Sequence, residues 1–175
     1  MFQTFRNAWK IPELKNRLLF TLAILVVYRL GSAIPVPFIT SSALTQMFSN
    51  GNMLAYLDMM SGGALSRCTL FALGVTPYIN ASIIVQLLTV AIPALERLAR
   101  DGGEEGKKKI QSITRYATVA IAILQAIGYY FMMKNYNLLE QDGIWVALVI
   151  IVTLIAGSSF VMWMGDQVTE FGVGN

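Results

Sequence analysis

Four long runs with almost no charged side chain organise the sequence. They are "LLFTLAILVVYRLGSAI" (18–34), a broken run over about 70–93, "ATVAIAILQAIGYYFMM" (117–133) and "IWVALVIIVTLIAGSSFVMWM" (144–164). Each is about the length that a helix rising 1.5 Å per residue needs to cross some 30 Å of hydrocarbon. Lipid offers the backbone no hydrogen-bond partner, and no alternating ten-residue pattern suggests a barrel, so the pattern predicts an all-α polytopic membrane protein.

The second run is unlike the others. It is preceded by "SGGALSRCTLFALGVTPYI" (61–79), in which Gly62 and Gly63 open a stretch too short to cross and Gly74 and Pro77 break it from the long apolar run beyond. Glycine is permissive, proline lacks an N–H, and Thr76 before proline is biased away from helix. The expectation is a half-helix over 60–73, a hinge and a full helix over 74–93. Discontinuous helices at membrane depth are tolerated where protein buries them or where they line a water-filled cavity.

At 100° per residue, Val75, Ile79, Ser82, Gln86 and Val90 of the full helix share one side within about 80°, with Ala81, Ile84 and Leu88 on the other. The mixed side has two readings that the sequence leaves open: interhelical hydrogen bonding through Ser82 and Gln86, or a face lining a pore. Arg29 lies near the outer end of its helix and is expected to snorkel, whereas Arg67 is expected in water or in an ion pair.

Charge sets the orientation. Ten of the thirteen Lys and Arg residues fall before the first run (Arg6, Lys10, Lys15, Arg17) or between the second and third (Arg97, Arg100, Lys107, Lys108, Lys109, Arg115). By the positive-inside rule both regions are cytosolic. The predicted order is therefore a cytosolic N-terminus (1–17), membrane helix (18–34), external loop (35–59), half-helix (60–73), membrane helix (74–93) and cytosolic loop (94–115). A membrane helix (116–134), external loop (135–143), membrane helix (144–164) and cytosolic segment (165–175) complete it. Hydrophobic residues make up 55% and charged ones 13% of the 175, against about a quarter charged in soluble domains. The net charge of +3 resides in the cytosolic segments, so anionic lipid accounts for it without sequence-specific nucleic-acid binding. Lys15 and Arg17 ahead of an apolar run ending in "GSA" resemble a signal peptide, but Arg29 and three further runs favour a retained anchor. Trp9, Tyr129, Tyr130, Tyr136, Trp145 and Trp163 flank the predicted spans and read as interfacial anchors.

Chemistry is sparse. The single cysteine, Cys68, and the lack of histidine exclude an internal disulfide and disfavour a His/Cys metal site; Cys68 reads as a small packing residue. "RDGGEEGKKK" has the composition of a phosphate loop, but its glycines are too close, Lys108 stands where Ser or Thr is needed, and no strand precedes it. Its acids do not match a calcium loop either. "NAS" at 80–82 is a glycosylation sequon buried in a span. Asp58 and Asp166 are isolated, and no nucleophile, base or carboxylate pair forms a catalytic set, so neither an enzyme nor a cofactor is expected.

The segments "LLFTLAILVVYRLGSAIPVP", "SGGALSRCTLFALGVTPYINASIIVQLLTV", "EEGKKKIQSITRYAT" and "WMGDQVTEFGVGN", in this order and spacing, resemble the N-terminal portion of the bacterial SecY family, the pore subunits of the Sec protein translocase. The resemblance covers essentially the whole chain. It implies a SecY-type helical bundle, in full made of two inverted halves around an hourglass pore, that translocates unfolded polypeptides and releases membrane segments sideways into the bacterial inner membrane. Ser61, Gly62, Gly63, Ala64, Leu65, Ser66, Arg67, Cys68, Thr69, Leu70 and Phe71 would then form the plug. Val75 and Ile79 would belong to the aliphatic pore ring, and Asn80, Ile83, Ile84 and Leu87 to the lateral gate. Implied partners are SecE, SecG, the SecA motor or a translating ribosome, signal sequences, nascent polypeptide and lipid. Two departures stand out: Phe38 where the family often has glycine after "IPVP", and Val75, one methylene smaller than the usual isoleucine. "GVGN" ends where the family continues, so the chain is expected to be truncated within the first half and unable to form a channel alone. The competing expectation is a complete small four-span protein, a transporter half or an assembly factor.

Overall fold

The computed structural model describes residues 11–40, 56, 58–59, 62–64, 66–141 and 143–174. The helices described in full are α1 (Pro12–Gly31), α2 (Thr76–Ala91), α3 (Pro93–Arg100), α4 (Gly103–Asn135) and α5 (Ile144–Phe171). α4 is the central element: α2, α3 and α5 all pack on it, while α1 packs along α5. Two helices, α4 and α5, are each long and apolar enough to cross a membrane, and the bent pair α2–α3 adds a third if it is one broken span. α1 falls short by composition, because Glu13, Lys15, Arg17 and Arg29 interrupt its 20 residues.

The helices extend well beyond the predicted spans, and local chemistry explains how. α1 begins at Pro12, whose missing N–H is no loss in a first turn, with Glu13 at the positive end of the dipole and Arg29 in the last turn. The 94–115 region, expected as a loop, is almost wholly helical. α3 starts on Pro93 and carries a Glu96–Arg100 ion pair at 3.2 Å. α4 starts at Gly103, with Glu104 and Glu105 in its first turn. Ile92, held extended by the following proline, separates α2 from α3 at a bend of 100°. The hairpin into α4 is tight: a Cβ on either Gly102 or Gly106 would land on the Leu98 carbonyl oxygen. α5 continues past the predicted Met164 to Phe171.

The expected half-helix over 60–73 is not a helix among its described residues. Residues 66–75 form successive turns. Gly62 (φ 67°), Gly63 (φ 80°), Cys68 (φ 45°) and Gly74 (φ 54°) all adopt the left-handed region, which a right-handed helix cannot pass through.

The core lies between this turn segment, α4 and α5. Cys68, Ala72, Leu73, Ala126, Tyr130, Met133, Ile150 and Leu154 form one buried cluster together with Val36 and Leu138. Tyr130 is therefore a core residue, with Tyr129 packed against the same cluster, rather than an interfacial anchor. Trp145, Trp163 and Tyr136 are exposed; Trp9 lies outside the described residues.

Candidate functional site

The turn segment enters the bundle and delivers the chain to the start of α2. Leu70 sits against Gly157, which lies about 20 Å along α5 from Ile144; a Cβ there would fall on the Leu70 carbonyl oxygen. Non-helical backbone at such a depth requires internal partners, and they are present. Leu70 N–H donates to the Ile34 carbonyl at 2.9 Å, Val36 N–H to Cys68 at 2.9 Å, Thr69 N–H to Ala64 at 3.0 Å and Ala72 N–H to Thr69 at 2.9 Å. Side chains add to them: Thr69 Oγ1 donates to the Ala64 carbonyl at 3.3 Å, and the Asp58 carboxylate accepts from Ser66 N–H at 2.8 Å.

Of the residues expected in this segment, Ala64, Ser66, Cys68, Thr69 and Phe71 are buried, Leu70 and Gly63 are half-buried, and Gly62 and Arg67 are exposed. Ser61 and Leu65 lie outside the described residues. Cys68 faces Met133, with its Sγ 3.7 Å from the methionine Sδ, which suits the packing role expected of it. Arg29 is exposed beside Gly62, where its Nη1 would be 3.7 Å from an added Cβ.

α2 presents three faces. Pro77, Ala81 and Val85, spaced by four, are its buried residues, and α4, on which α2 packs, buries small residues at Thr114, Thr118 and Ala122. Such small residues allow close approach of two helices in lipid. About 140° around the helix from that seam stand Val75 and Ile79, 42% and 46% exposed. On the remaining flank Asn80, Ile83, Ile84 and Leu87 are all exposed. Gln86 Nε2 donates to Ser82 Oγ within α2 at 3.4 Å. This polar pair is satisfied on its own helix rather than by bridging to another described one.

Both faces of α2 are thus left open by the described residues. One is a ladder of aliphatic side chains with a small polar patch, the other is mainly aliphatic. Aliphatic groups converging on a narrow passage would cost ions their hydration while offering a moving chain no fixed hydrogen bond. No group of His, Cys, Asp or Glu able to hold a metal occurs among the described residues.

Asp58 and Asp166, which the sequence reading set apart from any catalytic set, each have a structural partner. Asp58 accepts from Ser66, and Asp166 is paired with Arg115 across α4 and α5. What sequence reasoning missed is how the turn segment is held. Phe71 stacks between Tyr28 and Phe160, and a Cβ on Gly31 would fall inside its ring. The available signal was the presence of small residues, Gly31 and Gly157, in apolar runs, where they mark close packing.

Comparison with known proteins adds a family match, curated relatives and solved structures of like fold. The family model described as SecY matches residues 69–175. The protein translocase subunit SecY of Aquifex aeolicus is 43% identical over 183 residues, covering 100% of this chain and 43% of that protein. The protein of the same description from Escherichia coli (strain K12) is 44% identical, covering 94% of this chain and 38% of its own length. The chain therefore spans roughly two fifths of these curated relatives. Among solved structures, Sec61 in a canine ribosome-channel complex from the endoplasmic reticulum aligns with a TM-score of 0.64 at 18% identity, covering 92% of this chain and 34% of that one. A SecY structure described by its plug domain, which stabilises the closed state of the translocation channel, aligns at 0.62 and 19% identity, covering 91% and 33%. At these identities the structural matches show the fold: an all-α, multi-pass membrane architecture.

Proposed function

Since this chain belongs to the SecY family, we propose that it forms part of a protein-conducting channel that moves unfolded polypeptides across a membrane. In this reading Val75 and Ile79 contribute to the constriction, the turn segment up to Phe71 is the plug, and Asn80, Ile83, Ile84 and Leu87 line the lateral exit for membrane segments. The observation that carries it is the open ladder of Val75 and Ile79 beside a buried, non-helical segment packed between α1, α4 and α5.

The same reading assigns the protein to the bacterial inner membrane with its N-terminus in the cytosol, as the basic residues on both sides of the first two spans suggest. It assigns as partners SecE, SecG, a SecA motor or translating ribosome, and the secretory chains themselves. The role is conduction rather than catalysis. Family membership leaves no observation favouring a separate four-span transporter half or assembly factor.

The test is Ile79→Gly in the full chain with its partner subunits, reconstituted into planar bilayers. Removing one aliphatic contribution to the seal raises resting ion conductance; a conductance equal to the parent's contradicts the ring assignment.

A further inference from the structure

The start of α1 and the end of α5 are tied together by a small set of contacts. Phe20 meets Phe171 edge to face, with ring centroids 5.9 Å apart. Arg17 Nη1 donates to the Gly172 carbonyl at 3.3 Å, and Thr21 Oγ1 accepts from Val173 N–H at 3.3 Å. Glycine at 172 permits this approach, since a Cβ there would fall on the Val168 carbonyl oxygen and lie 3.0 Å from Thr21 Oγ1.

An open cleft of about 520 Å³ lies at this junction, lined by Asn16, Arg17, Phe20, Gln167, Glu170 and Phe171. Arg17 directly precedes the first apolar run, and Gln167 and Glu170 follow the last one, which ends at Met164. The cleft therefore stands where hydrocarbon gives way to headgroups, a level that suits aromatic side chains beside polar ones. It has an apolar continuation. Three- and four-residue steps inward bring Ala23 and Val27 of α1 and Trp163 and Phe160 of α5 onto the same faces, and all four are exposed.

The cleft holds charges of both signs. Among the described residues Arg17 and Glu170 make no ion pair with each other, and both are exposed. Arg17 uses one of its N–H donors on Gly172 and keeps the rest of its fork for a phosphate, whereas Glu170 can only accept. A headgroup with net negative charge meets Glu170 as a like charge, and a quaternary ammonium has no N–H to give it. An ethanolamine headgroup, whose phosphate and primary ammonium are joined by a short ethylene bridge, satisfies both side chains through charge-assisted hydrogen bonds.

We propose that this cleft binds a phospholipid with a zwitterionic, primary-amine headgroup, its phosphate on Arg17 and Asn16, its ammonium on Glu170 and an acyl chain along the groove between α1 and α5. The site uses no residue of α2 and does not depend on the pore reading.

The experiment uses the full chain with its partner subunits in phosphatidylcholine vesicles. Separate preparations carry equal trace amounts of phosphatidylethanolamine, phosphatidylglycerol or phosphatidylcholine with a photoreactive acyl chain. Adducts are mapped to the peptides holding Ala23 to Val27 and Phe160 to Trp163, and to the exposed Leu124 and Phe131 of α4 as a control surface. Relative to that control, the groove captures the ethanolamine lipid about threefold more than either other lipid, the scale of one exposed charge pair. Glu170→Gln abolishes the preference and Glu170→Asp retains it, while Arg17→Gln lowers capture of the ethanolamine lipid to the control level. Equal capture of the three lipids, preference for the glycerol headgroup, or a preference that survives Glu170→Gln overturns the proposal. So does a groove without adducts, the result if another part of the full chain covers it.

Discussion

Asp166 of α5 accepts two hydrogen bonds from Arg115 of α4, at 2.8 Å from Nη2 and 3.0 Å from Nε, so the guanidinium meets one carboxylate oxygen through two donors. Gln111 adds a third donor at 3.4 Å to the other oxygen. The carboxylate is 12% exposed and the guanidinium 48%, so the pair joins the two longest of the described helices near the basic end of α4.

Removing one partner of a pair so positioned costs more than breaking a solvated surface bridge and less than leaving a fully buried charge unpaired. Asp166→Asn keeps the shape and removes the charge, and is expected to lower stability by about 1–2 kcal/mol. Thermal unfolding in detergent, run as a double-mutant cycle with Arg115→Gln, checks this. A coupling energy near zero means the contact stabilises nothing.

The glycines of α4 and α5 offer an internal control. Gly157→Ala drives a Cβ onto the Leu70 carbonyl oxygen, and backbone cannot move aside as a flexible side-chain tip can. A loss of roughly 1–3 kcal/mol is expected. Gly128 and Gly165 have nothing within 4 Å of an added Cβ, and alanine there stays within about 1 kcal/mol, with the stabilising sign of helix propensity. Equal effects at all three positions contradict the packing of the turn segment on α5.

How much of this was legible in the sequence depends on what sort of information each feature needs. The spans and their class were visible because an apolar run of membrane length is a one-dimensional signal. The faces of α2 were partly readable from helical periodicity: Ala81, set opposite Val75 and Ile79, is buried, but Ile84 and Leu88, set on the same side as Ala81, are exposed. Helix ends were less visible: charge in "GGEEGKKK" looks the same in a loop as in the solvated first turns of α4. The shape of 66–75 was not visible, because left-handed backbone at Cys68 is imposed by partners far along the chain, Ile34, Val36 and Met133 among them. Nor was the pairing of Asp166 with Arg115, which are 51 residues apart. Tyr130 was misread for a related reason, since an aromatic near the end of a span looks like an anchor until its neighbours are known.

The central claim is that the Val75 and Ile79 face of α2 meets a moving polypeptide. Its most direct test puts a photo-crosslinking amino acid at Ile79, 46% exposed, and at Leu25 of α1, 57% exposed, in the full chain in membrane vesicles carrying a stalled secretory polypeptide. Adducts to that polypeptide are predicted at Ile79 and not at Leu25. No adduct at Ile79, or equal adducts at both, contradicts the claim.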